Sequence, residues 1–220
     1  MTVDLRLNAI VDPERANGRS LADLTRLVVA GGATLIQLRD KYGSTRRMIE
    51  EARAIHAALA GTGVALVVND RVDVALAAEA DGVHVGQDDM HVEDARRLLG
   101  PKAIIGLSIK TVVQANAAPI DLLDYVGVGG VYATTSKDNP DPPIGVAGLR
   151  DIVAAFRARR RDLPVCGIAG IDAGNAADVI AAGADGIAVI SALSMQADPE
   201  KAARQLRGVV DTALSQRVVR

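Results

Sequence analysis

The sequence predicts an α/β fold: one (β/α)8 barrel that takes in residues 1–220 as a single domain. Three observations carry that expectation. A strand-after-helix unit recurs along the chain, in AGGATLIQLRD (30–40), AEADGVHVGQ (78–87) and AAGADGIAVIS (181–191). In each, a helix ends on small residues, and a strand begins two or three positions later. The composition is 49% hydrophobic but only 2% aromatic, so the core is built of Val, Ile, Leu and Ala, as in parallel strands covered by helices. Polar and charged groups also collect at the C-terminal ends of the expected strands, where barrels of this kind carry their sites.

Taken in order, strands are expected near 5–11, 34–39, 64–69, 82–86, 103–108, 124–128, 164–168 and 186–190. Helical spacing lies between them. Leu21, Leu24, Leu27 and Val28 form one apolar face, and Ile49, Ala52, Ile55 and Leu59 form another. Eight units of roughly 27 residues suit a TIM barrel. An open doubly wound sheet is the rival, but the first strand runs into IVDPERANGRS, with no G-x-G-x-x-G. The one long irregular stretch, GGVYATTSKDNPDPPIG (129–145), is expected to be functional and to close as a lid over bound substrates.

Charge and cysteine usage exclude several classes. Twenty-five basic residues against 27 acidic ones give a net charge of -2, which offers neither nucleic acid nor membrane a footprint. No apolar run approaches the ~18 residues that span a bilayer. The N-terminus does not read as a signal peptide, so a cytoplasmic location is expected. The single cysteine, Cys166, excludes an internal disulfide framework and lies in an apolar strand, LPVCGI, as an inert small hydrophobe.

The strand ends carry Gln37, Arg39 and Lys41, then Asn69 and Asp70, then His84, Gln87, Asp88 and Asp89. Ser108 follows, then Thr134, Thr135, Ser136 and Lys137, then Gly170, and Ser191 last. Gln37, Arg39 and Lys41 alternate and so point one way. Arg39 and Lys41 make an anion clamp, a planar fork beside a mobile point charge, and Lys137 adds a further cation to the mouth. Asp70 and Asp89, on neighbouring strands, face these cations, and a bridging Mg²⁺ is the economical reason for two carboxylates there. The set reads as a site for a Mg²⁺-bound polyphosphate. Gly170 and Ile190–Ser191, after the seventh and eighth strands, read as a second, monophosphate site.

Other readings stand beside these. Arg39 with Asp40 makes a surface ion pair on the rim in one of them, worth little. Asp70 and Asp172 serve as N-caps of the helices that follow, and Asn69 as a turn residue. His84 on an apolar strand is more often a core or rim histidine than a catalyst, and TTSK is a hydrophilic loop.

The ordered motifs QLRDK (37–41), VVND (67–70), DGVHVGQDD (81–89), IGLS (105–108), YVGVGGVYATTSK (125–137), CGIAGI (166–171) and GADGIAVISAL (183–193) resemble the thiamine-phosphate synthase family. The resemblance implies a transferase on an α/β barrel. It would join 4-amino-2-methyl-5-hydroxymethylpyrimidine diphosphate to 4-methyl-5-(2-phosphoethyl)thiazole and release pyrophosphate. By motif, Gln37, Leu38, Arg39, Asp40, Lys41 and Asn69 would bind the pyrimidine diphosphate, and Asp70 and Asp89 would hold Mg²⁺. Ser108 and Lys137 would contact that substrate or its leaving group. Thr134, Thr135, Ser136, Gly170, Ile190 and Ser191 would seat the thiazole phosphate. Arg39, Lys41, Ser108 and Lys137 would be the catalytic groups.

Lys110, Gly130, Ala133 and Ala169 depart from the family pattern, with His, two prolines and Gly commoner there. Two alternatives remain. One is a thiazole tautomerase on the same barrel, whose histidine would stand near Ser108, and the other is a phosphate-binding barrel without turnover. The expected partners are the two small substrates, with neither nucleic acid nor membrane, and a homo-oligomer is compatible with the chain.

Overall fold

A computed structural model describes residues 3–135 and 142–218. Eight parallel strands close into a barrel in sequence order. They are β1 (Leu7–Val11), β2 (Leu35–Leu38), β3 (Ala65–Asn69), β4 (Gly82–Val85), β5 (Ile104–Ile109), β6 (Tyr125–Val128), β7 (Val165–Ile168) and β8 (Gly186–Val189). All eight lie where the apolar runs place them, and β1 pairs with β8 through Leu7–Ile187 to complete the ring. Helices wrap the outside: α1 (Leu21–Ala30), α2 (Thr45–Leu59), α3 (Val72–Ala77), α4 (Val92–Leu99), α5 (Val112–Ala117), α6 (Gly145–Arg159), α7 (Ala176–Ala181), the single turn α8 (Ser191–Ser194) and α9 (Pro199–Val218). Among the described residues no helix is long and apolar enough to cross a membrane.

The recurrent Asp before a strand has a physical reason. Asp81, Asp124 and Asp185 stand just before β4, β6 and β8, and each accepts a backbone N–H from the preceding strand, at Leu66, Ile105 and Val165. Arg96 and Arg157 tie two of these carboxylates to α4 and α6. The Gly that follows Asp81 or Asp185 allows strands to approach closely. A Cβ at Gly82 would lie 1.9 Å from the Ile104 carbonyl oxygen, and one at Gly186 would lie 1.7 Å from that of Leu5.

The apolar residues form two cores. The larger lies between strands and helices and includes Leu38, Ile55, Val83, Ile105 and Phe156. The smaller fills the barrel interior with Leu5, Ile10, Leu35, Val67, Tyr125, Cys166, Ala188 and Ile190. The inner core is interrupted by buried polar side chains, Asn8 near the start of β1, and Gln37 and His84 nearer the C-terminal ends of β2 and β4.

Cys166 is a buried strand residue, as its apolar run predicts, and burial pushes its thiol up to about 12. A thiol reagent at about pH 8 should therefore leave the native protein unlabelled and modify the single thiol only after unfolding. Burial also raises the Tyr125 phenol well above its ordinary value. For both groups the folded state favours the protonated form. Their contribution to stability is therefore complete below about pH 7.5 and falls as the pH climbs through the range where first the unfolded thiol and then the phenol ionise. A urea midpoint that rises on going from about pH 8 to about pH 10.5 would contradict this.

Candidate active site

Within β2 the pleat turns Gln37 into the barrel and Leu38 out to the larger core, and the chain continues to Arg39 at the rim. Arg39 and Lys41 diverge from there. The Arg39 guanidinium donates to the Asp12 carboxylate at the end of β1, and the Lys41 ammonium donates to Asp70 after β3. The rim ion pair between Arg39 and Asp40 is thus corrected. Asp40 turns back on its own loop, where its Oδ1 accepts the N–H groups of Tyr42 and Gly43 at 3.0 and 2.7 Å. The turn holds Asp40 by that one oxygen, and among the described residues the Arg39 guanidinium pairs with Asp12 instead.

Asp70 does not cap a helix either. It takes a left-handed φ of 63°, and α3 starts at Val72 without a side-chain cap. Burial pushes the Asp70 carboxyl above its ordinary value; the Lys41 hydrogen bond opposes this, and the nearby Asp89 adds to it. The two carboxyls from the β3 and β4 loops are thus close enough to act on each other. Asp89 also closes its own turn, its Oδ2 accepting the Gly86 N–H at 2.7 Å. Two adjacent carboxylates of hard oxygen donors fit Mg²⁺. Among the described residues no His, Cys, Asp or Glu completes a cluster of three, so most of the ion's shell would come from substrate oxygens and water.

Below this rim lies a hydrogen-bonded chain. Gln37 bonds the Tyr125 phenol, the phenol bonds His84 Nδ1 at 2.9 Å, and His84 Nε2 bonds Ser108 Oγ at 2.9 Å. The chain joins β2, β6, β4 and β5 across the barrel, and Gln87 Nε2 adds a bond to the Ser108 carbonyl at 2.7 Å. His84 is therefore a core histidine, but one bonded directly to a candidate site residue. Tyr125 is the member that the sequence reading does not single out. Asn69 ends β3 opposite His84, half-buried.

On the other side of the mouth a cleft of about 550 Å³ is lined by Thr134, Thr135, Gly170, Ile190 and Ser191, among others. These are the residues assigned to the second phosphate, gathered from three separate loops. Ala169 and Gly170 form the turn after β7 with φ of 82° and 65°. Ala169 bears the strain of a left-handed conformation that glycine would take without cost. Asp172 is corrected as the cap of α7. Asn175 occupies that position, while Asp172 Oδ1 accepts the Gly174 N–H at 2.7 Å and stabilises the turn before the helix. Ser136 and Lys137, and with them the centre of the proposed lid, lie outside the described residues.

Comparison with known proteins places the chain in a family. The profile of the thiamine monophosphate synthase family matches residues 7–193. The chain belongs to that family. It is 52% identical over 215 residues to the thiamine-phosphate synthase of Agrobacterium fabrum, with 98% of each chain covered. The synthase of Moorella thermoacetica is 47% identical over 94% of this chain and 96% of its own. A solved structure, thiamine phosphate pyrophosphorylase from Pyrococcus furiosus, superposes with a TM-score of 0.84 at 37% identity, covering 96% of this chain and 98% of that one. None of these relatives supports the tautomerase or the non-catalytic reading.

Proposed function

We propose that this chain carries out its family's reaction, joining the pyrimidine diphosphate to the thiazole phosphate to give thiamine phosphate and pyrophosphate, with Mg²⁺ as cofactor. The observation that carries the proposal is the pairing of Asp70 with Asp89 inside a rim of cations, beside a separate cleft sized for a second phosphorylated molecule. Arg39 and Lys41 grip the diphosphate, and Lys137, in the sequence after β6, would add its charge. Mg²⁺ held by Asp70 and Asp89 would neutralise charge on the diphosphate oxygens. Leu38 and Asp40 shape the β2 loop, and Asn69 and Ser108 stand at the strand ends beneath it.

The pyrimidine amino group pushes electrons towards the exocyclic carbon. The carbon–oxygen bond breaks, pyrophosphate leaves with the electron pair, and the thiazole nitrogen supplies its lone pair to the same carbon. The chain contributes electrostatic stabilisation of the leaving group and alignment of the nucleophile. Thr134, Thr135, Ser136, Gly170, Ile190 and Ser191 would provide that alignment by holding the thiazole's phosphate. No nucleophilic side chain is needed, which accords with a buried, protonated Cys166. Charged substrates of this kind do not cross membranes unaided, so the cytoplasm is the compartment that suits the reaction.

The test is pyrophosphate release by the purified protein with both substrates, in parallel with Mg²⁺ and with EDTA. Release that requires Mg²⁺ and both substrates, with an equal amount of thiamine phosphate, is the expected result. A folded protein that leaves both substrates intact would remove the synthase reading.

A further inference from the structure

The segment after β1, which the sequence reading left without a role, touches the mouth on three sides. Asp12 is 1% exposed, and its two oxygens do different work. Oδ2 accepts from the Arg39 guanidinium, and Oδ1 accepts the Glu14 N–H at 2.9 Å, capping a short 3-10 turn, Pro13–Arg15. From the end of that turn Arg15 reaches across to the Thr135 carbonyl at 2.8 Å. Arg19 then donates to the carbonyls of Ser194, Gln196 and Ala197, at 3.3, 3.1 and 3.0 Å.

We propose that this segment braces both substrate subsites, with Asp12 and Arg15 as positioning residues: Asp12 orients Arg39 for the pyrimidine diphosphate, and Arg15 sets the Thr134–Thr135 wall for the thiazole phosphate. The proposal rests on the functional reading above. Burying a carboxylate is costly, and a buried ion pair adds little net stability, so its value here lies in geometry. The Arg39 side chain is 15% exposed and that of Asp12 is 2% exposed. One edge of the planar fork is therefore taken, and the remaining N–H groups keep a fixed direction. Arg15 acts differently. A carbonyl oxygen that already accepts from a guanidinium presents less negative charge to a phosphate beside it. Asp12 supports both effects because its other oxygen holds the turn that carries Arg15.

The experiment compares wild type with Asp12→Asn, Asp12→Ala and Arg15→Ala. It measures the KM of each substrate and, by calorimetry, the binding of Mg²⁺–pyrophosphate. Asp12→Asn keeps the shape and an acceptor for the Glu14 N–H but loses the charged partner of Arg39. It should raise the pyrimidine diphosphate KM and weaken pyrophosphate binding by about tenfold, with the thiazole phosphate KM within about twofold. Arg15→Ala should do the reverse, raising the thiazole phosphate KM about fivefold and leaving the other within about twofold. Asp12→Ala removes both bonds and should raise both values.

A simple loosening of the fold would move both constants together in every variant, in step with the melting temperature. That pattern, or no change in any constant, overturns the brace. If wild type turns over neither substrate, the functional reading fails on that arm alone, and pyrophosphate binding by Asp12→Asn still decides the role of Asp12. Wild type that neither turns over nor binds pyrophosphate overturns both.

Discussion

Asp89→Asn should lower kcat/KM by about a hundredfold or more at saturating Mg²⁺ while leaving the fold intact. Asparagine is the informative replacement because Asp89 has two tasks. Its Oδ2 accepts the Gly86 N–H, and the amide oxygen of asparagine can keep that bond. Its nearness to Asp70 is one of the causes that raise the Asp70 carboxyl. Asparagine there removes a negative charge and directs an N–H donor towards Asp70, where a cation would otherwise sit. The Mg²⁺ concentration giving half-maximal rate should rise well above that of wild type. Alanine would also lose the turn and confuse the two tasks. Near-normal activity of Asp89→Asn at limiting Mg²⁺ would take Asp89 out of the metal site.

The fold was legible because β2, β4 and β8 each carry a clear signal, a strand opened by Asp-Gly or by a small-residue helix end, and apolar runs at similar spacing mark the others. The rim was legible for a related reason. Arg39, Lys41, Asp70 and Asp89 are charged residues at strand ends, where a barrel core offers them no partner along the chain. What the chain did not disclose is which of these groups meet. Arg39 found Asp12, 27 residues away, and Lys41 found Asp70, 29 away. Those pairings depend on the stagger of neighbouring strands, which local periodicity does not encode. Asp12 was missed because DPER reads as a turn after a strand, and it is that as well. Asp172 was misplaced by three residues because an Asp before a helix can close the preceding turn while Asn175 takes the cap position.

Gly106→Ala should destabilise the protein by about 3 kcal/mol, at the upper end of the cost of overpacking a core. A Cβ there would lie 2.2 Å from Tyr125 Cζ and 2.5 Å from His84 Nδ1. Neither ring can retreat, because Tyr125 is fully buried and the two are bonded to each other. Gly106 therefore supplies the space in which the Gln37–Tyr125–His84–Ser108 chain is built. The chain admits two proton registers, since every hydrogen bond in it can reverse together, and in both of them Ser108 is held by His84. The same substitution should therefore lower kcat beyond the loss due to unfolding, when measured well below the melting temperature. Gly208→Ala is the control. Gly208 lies inside α9 with nothing within 4 Å of an added Cβ, so alanine should stabilise the protein by about 0.5–1 kcal/mol through helix propensity. Chemical denaturation of the two variants beside wild type gives the comparison. A Gly106→Ala protein as stable and active as wild type would mean that the two rings can move apart, and that Ser108 does not depend on the chain behind it.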